Sequence, residues 1–239
     1  MAAMIPSTSP MSGTFPLFRA LGIAVHLHWS WLLVAAFELQ NRNKEYTSLV
    51  WNVAEYLTLF GIVLLHEFGH ALACRSVGGQ ADHIVLWPLG GVAFVNPPPR
   101  PGAFLWSIVG GPLVNVILVP LLFGVGMLAD SAGLSETNVD FDRYLIAIWY
   151  MNLMLLIFNL LPAYPLDGGQ ILYALLWYAI GRARAILIAS AIGVVVAALA
   201  LGFAFYVGNL WIGVLAVFIG INAWGSLQRA RQMNQWPSQ

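Results

Sequence analysis

Charge is what this sequence has least of. Of 239 residues, 8% are charged and 60% hydrophobic, where an ordinary soluble domain carries about 25% charge. That scarcity excludes a free-standing water-soluble domain and puts the chain in a membrane. Lys plus Arg and Asp plus Glu both number 10, so the net charge is zero and no excess points to a nucleic-acid partner or an acidic substrate. Cysteine is nearly absent too. Cys74 stands alone, so it cannot form an internal disulfide and reads as a small apolar packing residue. The start has neither the basic stretch nor the cleavable apolar run of a signal peptide. Residues 1–18, rich in Ser, Thr, Pro and Met, read as a flexible tail.

What is plentiful is apolar length. A spanning helix needs about 20 mostly apolar residues. With Pro, Gly and charge clusters as boundaries, the sequence predicts spans near 22–39, 50–74, 103–129, 144–161, 185–206 and 209–226. The expected fold class is an all-α polytopic membrane protein, about six transmembrane helices with a short membrane-associated β-hairpin. The hairpin is expected within 77–97, where "HIVLW" and "GVAFV" flank "PLGG". A second break, "LPAYPLDGG", follows the fourth span and leads into a short amphipathic helix. The core is expected over 19–228, with 229–239 as a short C-terminal tail. Irregular backbone at membrane depth persists only where it lines a cavity or is buried in protein, so function is to be sought at these two breaks.

The few charges set an orientation. In a six-span arrangement Arg19, Arg75, Arg100, Arg182, Arg184, Arg229 and Arg231 gather on the side of the termini, against Arg42, Lys44 and Arg143 opposite. Both termini are therefore expected in the cytoplasm.

Within the second span, "HEFGH" sets His66, Glu67 and His70 in the pattern H-E-x-x-H. Residues four apart share a helix face, so the two imidazoles can bind one Zn²⁺ while Glu67, one position round, reaches a water held by the metal. With five His and five Glu, chance gives this pattern at about two in a thousand. The bland alternative is two core histidines beside a snorkelling acid, but ionisable residues inside a membrane are costly and point to function. At 1.5 Å per residue His70 lies about 7 Å, and His66 about 13 Å, along the helix from Arg75, within the cytoplasmic half of the bilayer.

Three protein ligands are expected at a catalytic zinc. Candidates for the third are Glu38, Glu55, Asp167, His26, His28 and His83. Glu55, eleven residues before His66 on one helix, is about 16 Å away and cannot share the metal. Asp167 sits in the broken stretch on the cytoplasmic side, although with Gln170 three residues later it also fits an N-cap and capping box. His26 and His28 alternate in "VHLHW", which suits an interfacial strand or a helix entry. His83 reads as a polar surface residue.

"HEFGH" in one span with "NLLPAYPLDGG" in a later one resembles the site-2 protease family of intramembrane zinc metalloproteases. "RALGIAVHLHWSWLL", "LWPLGGVA" and "GGPLVN" extend the resemblance over nearly the whole core. It implies that His66, His70 and Asp167 ligate one zinc, that Glu67 is the catalytic base and that Asn159 opens the second motif. It also implies the compact form, since the loops are too short for an inserted PDZ domain and about a dozen residues follow the last span.

Asn159 or Asn115 could donate an amide N–H to the oxyanion of peptide hydrolysis. Asn159 is preferred on the motif, while Asn115, behind Gly110-Gly111-Pro112, is the candidate for joining helix to helix. The expected partner is a membrane-protein substrate with a transmembrane helix. Such a helix must unwind before cleavage, and an exposed strand edge would then hold the extended segment. Trp87, Gly90, Gly91 and Phe94 in the hairpin, with Asn115, are the candidate substrate contacts. The competing class is a metal-ion transporter using the His/Asp cluster as a transit site. No internal repeat supports it, and it has no use for Glu67 beside two ligands.

Overall fold

The computed structural model of the chain describes residues 13–34, 46–87 and 90–235. Strands β1 (Thr14–Ala20) and β2 (Ile23–His28) come first. Then follow helix α1 (Leu49–Ser76), strands β3 (Gln80–Trp87) and β4 (Gly90–Asn96), and helices α2 (Pro101–Ser131), α3 (Leu134–Thr137), α4 (Val139–Asn159), α5 (Asp167–Ile180), α6 (Arg182–Val207) and α7 (Leu210–Gln235). Among the described residues α1, α2, α4, α6 and α7 are long and apolar enough to cross a membrane. They coincide with the last five expected spans, and α5 is the short helix expected after the second break.

The first expected span is corrected. Residues 23–28 form a strand because apolar and polar side chains alternate there with a period of two. Ile23 and Val25 are fully buried and Leu27 nearly so, while His26 and His28 take the other face. A helical turn starts only at 30–34, and 35–39 lie outside the described residues. Two further boundaries also differ from the expectation. Residues 14–18, read as tail, belong to β1, and 229–235, also read as tail, continue α7.

The expected hairpin is present as β3 and β4, but it is half of a four-stranded sheet ordered β1-β2-β3-β4, in which β2 and β3 run parallel. The apolar face of the sheet carries Ile23, Val25, Ile84 and Leu86 against Val63, Ala71 and Cys74 of α1. Arg75 at the end of α1 donates to the main-chain carbonyls of Leu21 at 2.5 Å and Gly22 at 3.2 Å, tying the β1–β2 turn to the helix.

The α1–α2 crossing depends on missing side chains. A Cβ at Gly69 would run into the carbonyl of Gly110, and one at Gly110 into the carbonyl of Gly69 and the methyl of Ala73. Small residues permit such backbone approach between membrane helices. Here they bring the "GGPLVN" segment of α2 against the H-E-x-x-H face of α1.

Candidate metal centre

His66, Glu67 and His70 occupy the buried side of α1, at 4%, 5% and 7% exposure. Asp167 reaches them from the first residue of α5. The chain between α4 and α5 folds back on itself with a cis Tyr164–Pro165 bond, and Gly168 and Gly169 lie directly on the backbone of Leu160, Ala163 and Tyr164. That close seating explains the glycine pair after Asp167. The capping-box alternative is not realised: the N-cap of α5 is Leu166, and Gln170 Nε2 donates instead to the Pro165 carbonyl at 2.9 Å. The Asp167 carboxylate is thereby left for the histidines. Its Oδ2 lies 3.0 Å from His66 Nε2 and 3.3 Å from His70 Nε2, and the two Nε2 atoms are 3.1 Å apart.

The outer ring nitrogens show what those inner atoms are. His70 Nδ1 lies 3.0 Å from the main-chain carbonyl of Ser107. A carbonyl only accepts, so Nδ1 carries the proton and donates. His66 Nδ1 donates in the same way to Asn115 Oδ1 at 2.5 Å. In neutral rings both Nε2 atoms are then bare lone pairs, facing each other and a carboxylate in a buried space. Such a set is mutually repulsive without a cation between its members.

The spacing suits a small tetrahedral ion. Three donors each about 2.0–2.1 Å from such an ion stand about 3.3–3.4 Å from one another, close to the 3.0, 3.1 and 3.3 Å found. Gly111 keeps the space open, since a Cβ there would strike His70 Nε2 and lie 2.7 Å from His66 Nε2. The three residues form the potential metal-binding group found among the described residues, and they fit zinc.

Glu67 does not point into this donor set. Its Oε2 accepts the main-chain N–H of Ala93 in β4 at 2.7 Å, and Gly91 lies so close that a Cβ would overlap the carboxylate. Of the hairpin residues singled out above, Gly91 alone touches the motif. Gly90 opens β4 at φ +138°. Trp87 stacks on His28 at 4.1 Å between ring centroids, and Phe94 is in register with His83, so both lie on the sheet face turned away from α1. His26 faces His83 there, 5.8 Å between centroids. Glu55 accepts from Tyr46 Oη at 2.5 Å, and Glu38 lies outside the described residues. Asn159 is the half-buried last residue of α4.

Asn115, expected among substrate contacts, is instead fully buried behind His66 and bonded across to α4, the helix-joining role also considered for it. Sequence reasoning missed Asn152, Ser107, Ala93 and Gly111. Ser107 and Ala93 act through backbone atoms, which no residue identity announces. Asn152 had one available signal, an amide within an apolar span.

Relatives bear on this geometry. A solved site-2 protease from Methanocaldococcus jannaschii superposes with a TM-score of 0.65 and 29% identity, over 90% of this chain and 95% of that one. In sequence and in fold the chain is similar to this site-2 protease. The profile of peptidase family M50 matches residues 134–202 of this chain, a stretch that includes Asn159 and Asp167. A zinc metalloprotease of the same archaeon is 33% identical over 215 residues, covering 89% of this chain and 60% of its own. Stage IV sporulation protein FB of Bacillus subtilis is 31% identical over 157 residues, covering 64% of this chain and 48% of its own. The chain thus spans about half to three fifths of the length of these curated relatives.

Proposed function

We propose that this chain is an intramembrane zinc metalloprotease that hydrolyses a peptide bond within or near a transmembrane segment of a membrane-protein substrate. One observation carries the reading: two buried imidazoles, each with Nδ1 against a hydrogen-bond acceptor, set their Nε2 atoms 3.0 and 3.3 Å from one carboxylate oxygen.

His66, His70 and Asp167 would hold the zinc. The chemistry the ion supplies there is Lewis acidity, which polarises the scissile carbonyl and makes water lose a proton near neutral pH. Glu67 takes the proton of the attacking water and returns it to the leaving amine. Asn159 is the candidate donor to the developing oxyanion. The outer edge of β4 runs past Glu67, so a substrate segment added to that edge as a further strand lies beside the ligands, with its backbone paired after unwinding. With a sixth span before α1, the arginine distribution supports cytoplasmic termini and a cytoplasmic opening.

The relatives reported above give the transporter alternative no support. Purified protein with a transmembrane substrate in detergent tests the reading. Wild type should hold one zinc and cleave, and Glu67→Gln should hold one zinc and not cleave. Cleavage that survives Glu67→Gln overturns it.

A further inference from the structure

Asn115 and Asn152 are both fully buried, on different membrane helices. Three hydrogen bonds join them to the candidate ligand: Asn152 Nδ2 donates to the main-chain carbonyl of Asn115 at 3.1 Å, Asn115 Nδ2 donates to Asn152 Oδ1 at 2.7 Å, and Asn115 Oδ1 accepts from His66 Nδ1 at 2.5 Å.

The directions of all three bonds follow from one fixed point. A main-chain carbonyl only accepts, so the Asn152 atom facing it is the NH₂ group. Its Oδ1 must then face Asn115, which turns the NH₂ of Asn115 towards Asn152 and its Oδ1 towards His66. His66 Nδ1 is left with one role, that of donor, and Nε2 with one role, that of lone pair. We propose that Asn152, through Asn115, is a positioning residue that selects the metal-binding tautomer of His66, so that helix α4 sets metal affinity without touching the metal.

The inference rests on the zinc reading above. Without Asn152 the Asn115 carboxamide is free to turn its NH₂ to Nδ1, which makes Nδ1 the acceptor and puts the proton on Nε2, where it blocks the ion. Loss of a partner behind a ligating histidine typically weakens metal binding by about 10- to 100-fold.

The test is the zinc dissociation constant of metal-stripped full-length protein in detergent, measured by competition with a chromogenic chelator. Asn152→Leu keeps the volume and removes both bonds, and it should weaken zinc by about 10- to 100-fold. Adding Asn115→Asp should restore binding to within about threefold of wild type, because a carboxylate has no NH₂ to present and accepts from Nδ1 whichever way it turns.

If the pair merely packed α2 against α4, the double variant would bind no better than Asn152→Leu. That result overturns the proposal, as does an unchanged affinity in Asn152→Leu. Should Asn152→Leu fail to fold, Asn152→Ala and its double variant with Asn115→Asp give the same comparison: weakened zinc restored in the double variant supports the proposal, and zinc unchanged by Asn152→Ala or not restored in the double variant overturns it. A wild-type protein that takes up no zinc overturns the metalloprotease reading itself.

Discussion

Glu67 Oε2 accepts the main-chain N–H of Ala93 at 2.7 Å, which joins the candidate base on α1 to the outer edge of β4. Gly91, two residues earlier on the same strand, leaves room for that carboxylate. Gly91→Ala should therefore keep the fold and the zinc but lower kcat/KM by about 100-fold, since a displacement of about 1 Å at a reacting group has that effect. Cleavage rates against zinc content by atomic absorption check it, and near-normal turnover would sever Glu67 from the strand edge.

A second glycine makes the opposite prediction. At Gly111 a methyl would lie in the space enclosed by the Nε2 atoms of His66 and His70. Gly111→Ala should purify as a folded membrane protein with far less than one zinc per chain, and cleavage should fall with the metal. Full zinc occupancy would mean that the ion sits elsewhere.

Metal removal should also register in stability. An ion that binds only the folded state at 100 times its Kd stabilises by about 2.7 kcal/mol. Chelation should lower the Tm of wild type and Glu67→Gln alike. Asp167→Ala, which lacks one of the three donors, should respond much less. A Tm in Asp167→Ala as sensitive to chelator as that of wild type would remove Asp167 from the ligand set.

The difference between Asp167 and Asn152 shows how far the sequence alone could be read. His66, Glu67 and His70 were legible because helical periodicity places their side chains from spacing alone. Asp167 was legible because Pro165, Gly168 and Gly169 mark backbone that a spanning helix could not contain. Asn152 acts only once α4 lies against α2, a relation between elements that no local pattern encodes.

The β2 strand was misread for a different reason. "GIAVHLH" runs straight into "WSWLLVAA", so apolar length outweighed an alternation only six residues long. The facing of β4 was equally hidden. Gly91, Ala93 and Val95 on one side and Val92 and Phe94 on the other are all apolar or small, and the pattern does not say which side meets α1.

On the proposed reading, the substrate must change shape more than this chain does. A peptide bond inside a transmembrane helix has its carbonyl bonded within the helix and its flanks shielded, while the edge of β4 is the proposed seat for an extended chain. Spans with Gly, Pro or Asn near the cut should be cleaved faster, because Gly costs roughly 1 kcal/mol and Pro roughly 3 kcal/mol relative to Ala in a helix interior and so ease its local opening. Replacing those residues with Leu should slow cleavage by tenfold or more, at about 1.4 kcal/mol per factor of ten. Paired substrates differing only at those positions, reconstituted with the protein in vesicles, provide the comparison. A uniformly Leu-rich span cleaved at an equal rate would show that opening of the substrate helix does not limit the reaction, and the strand-edge route would lose its physical basis.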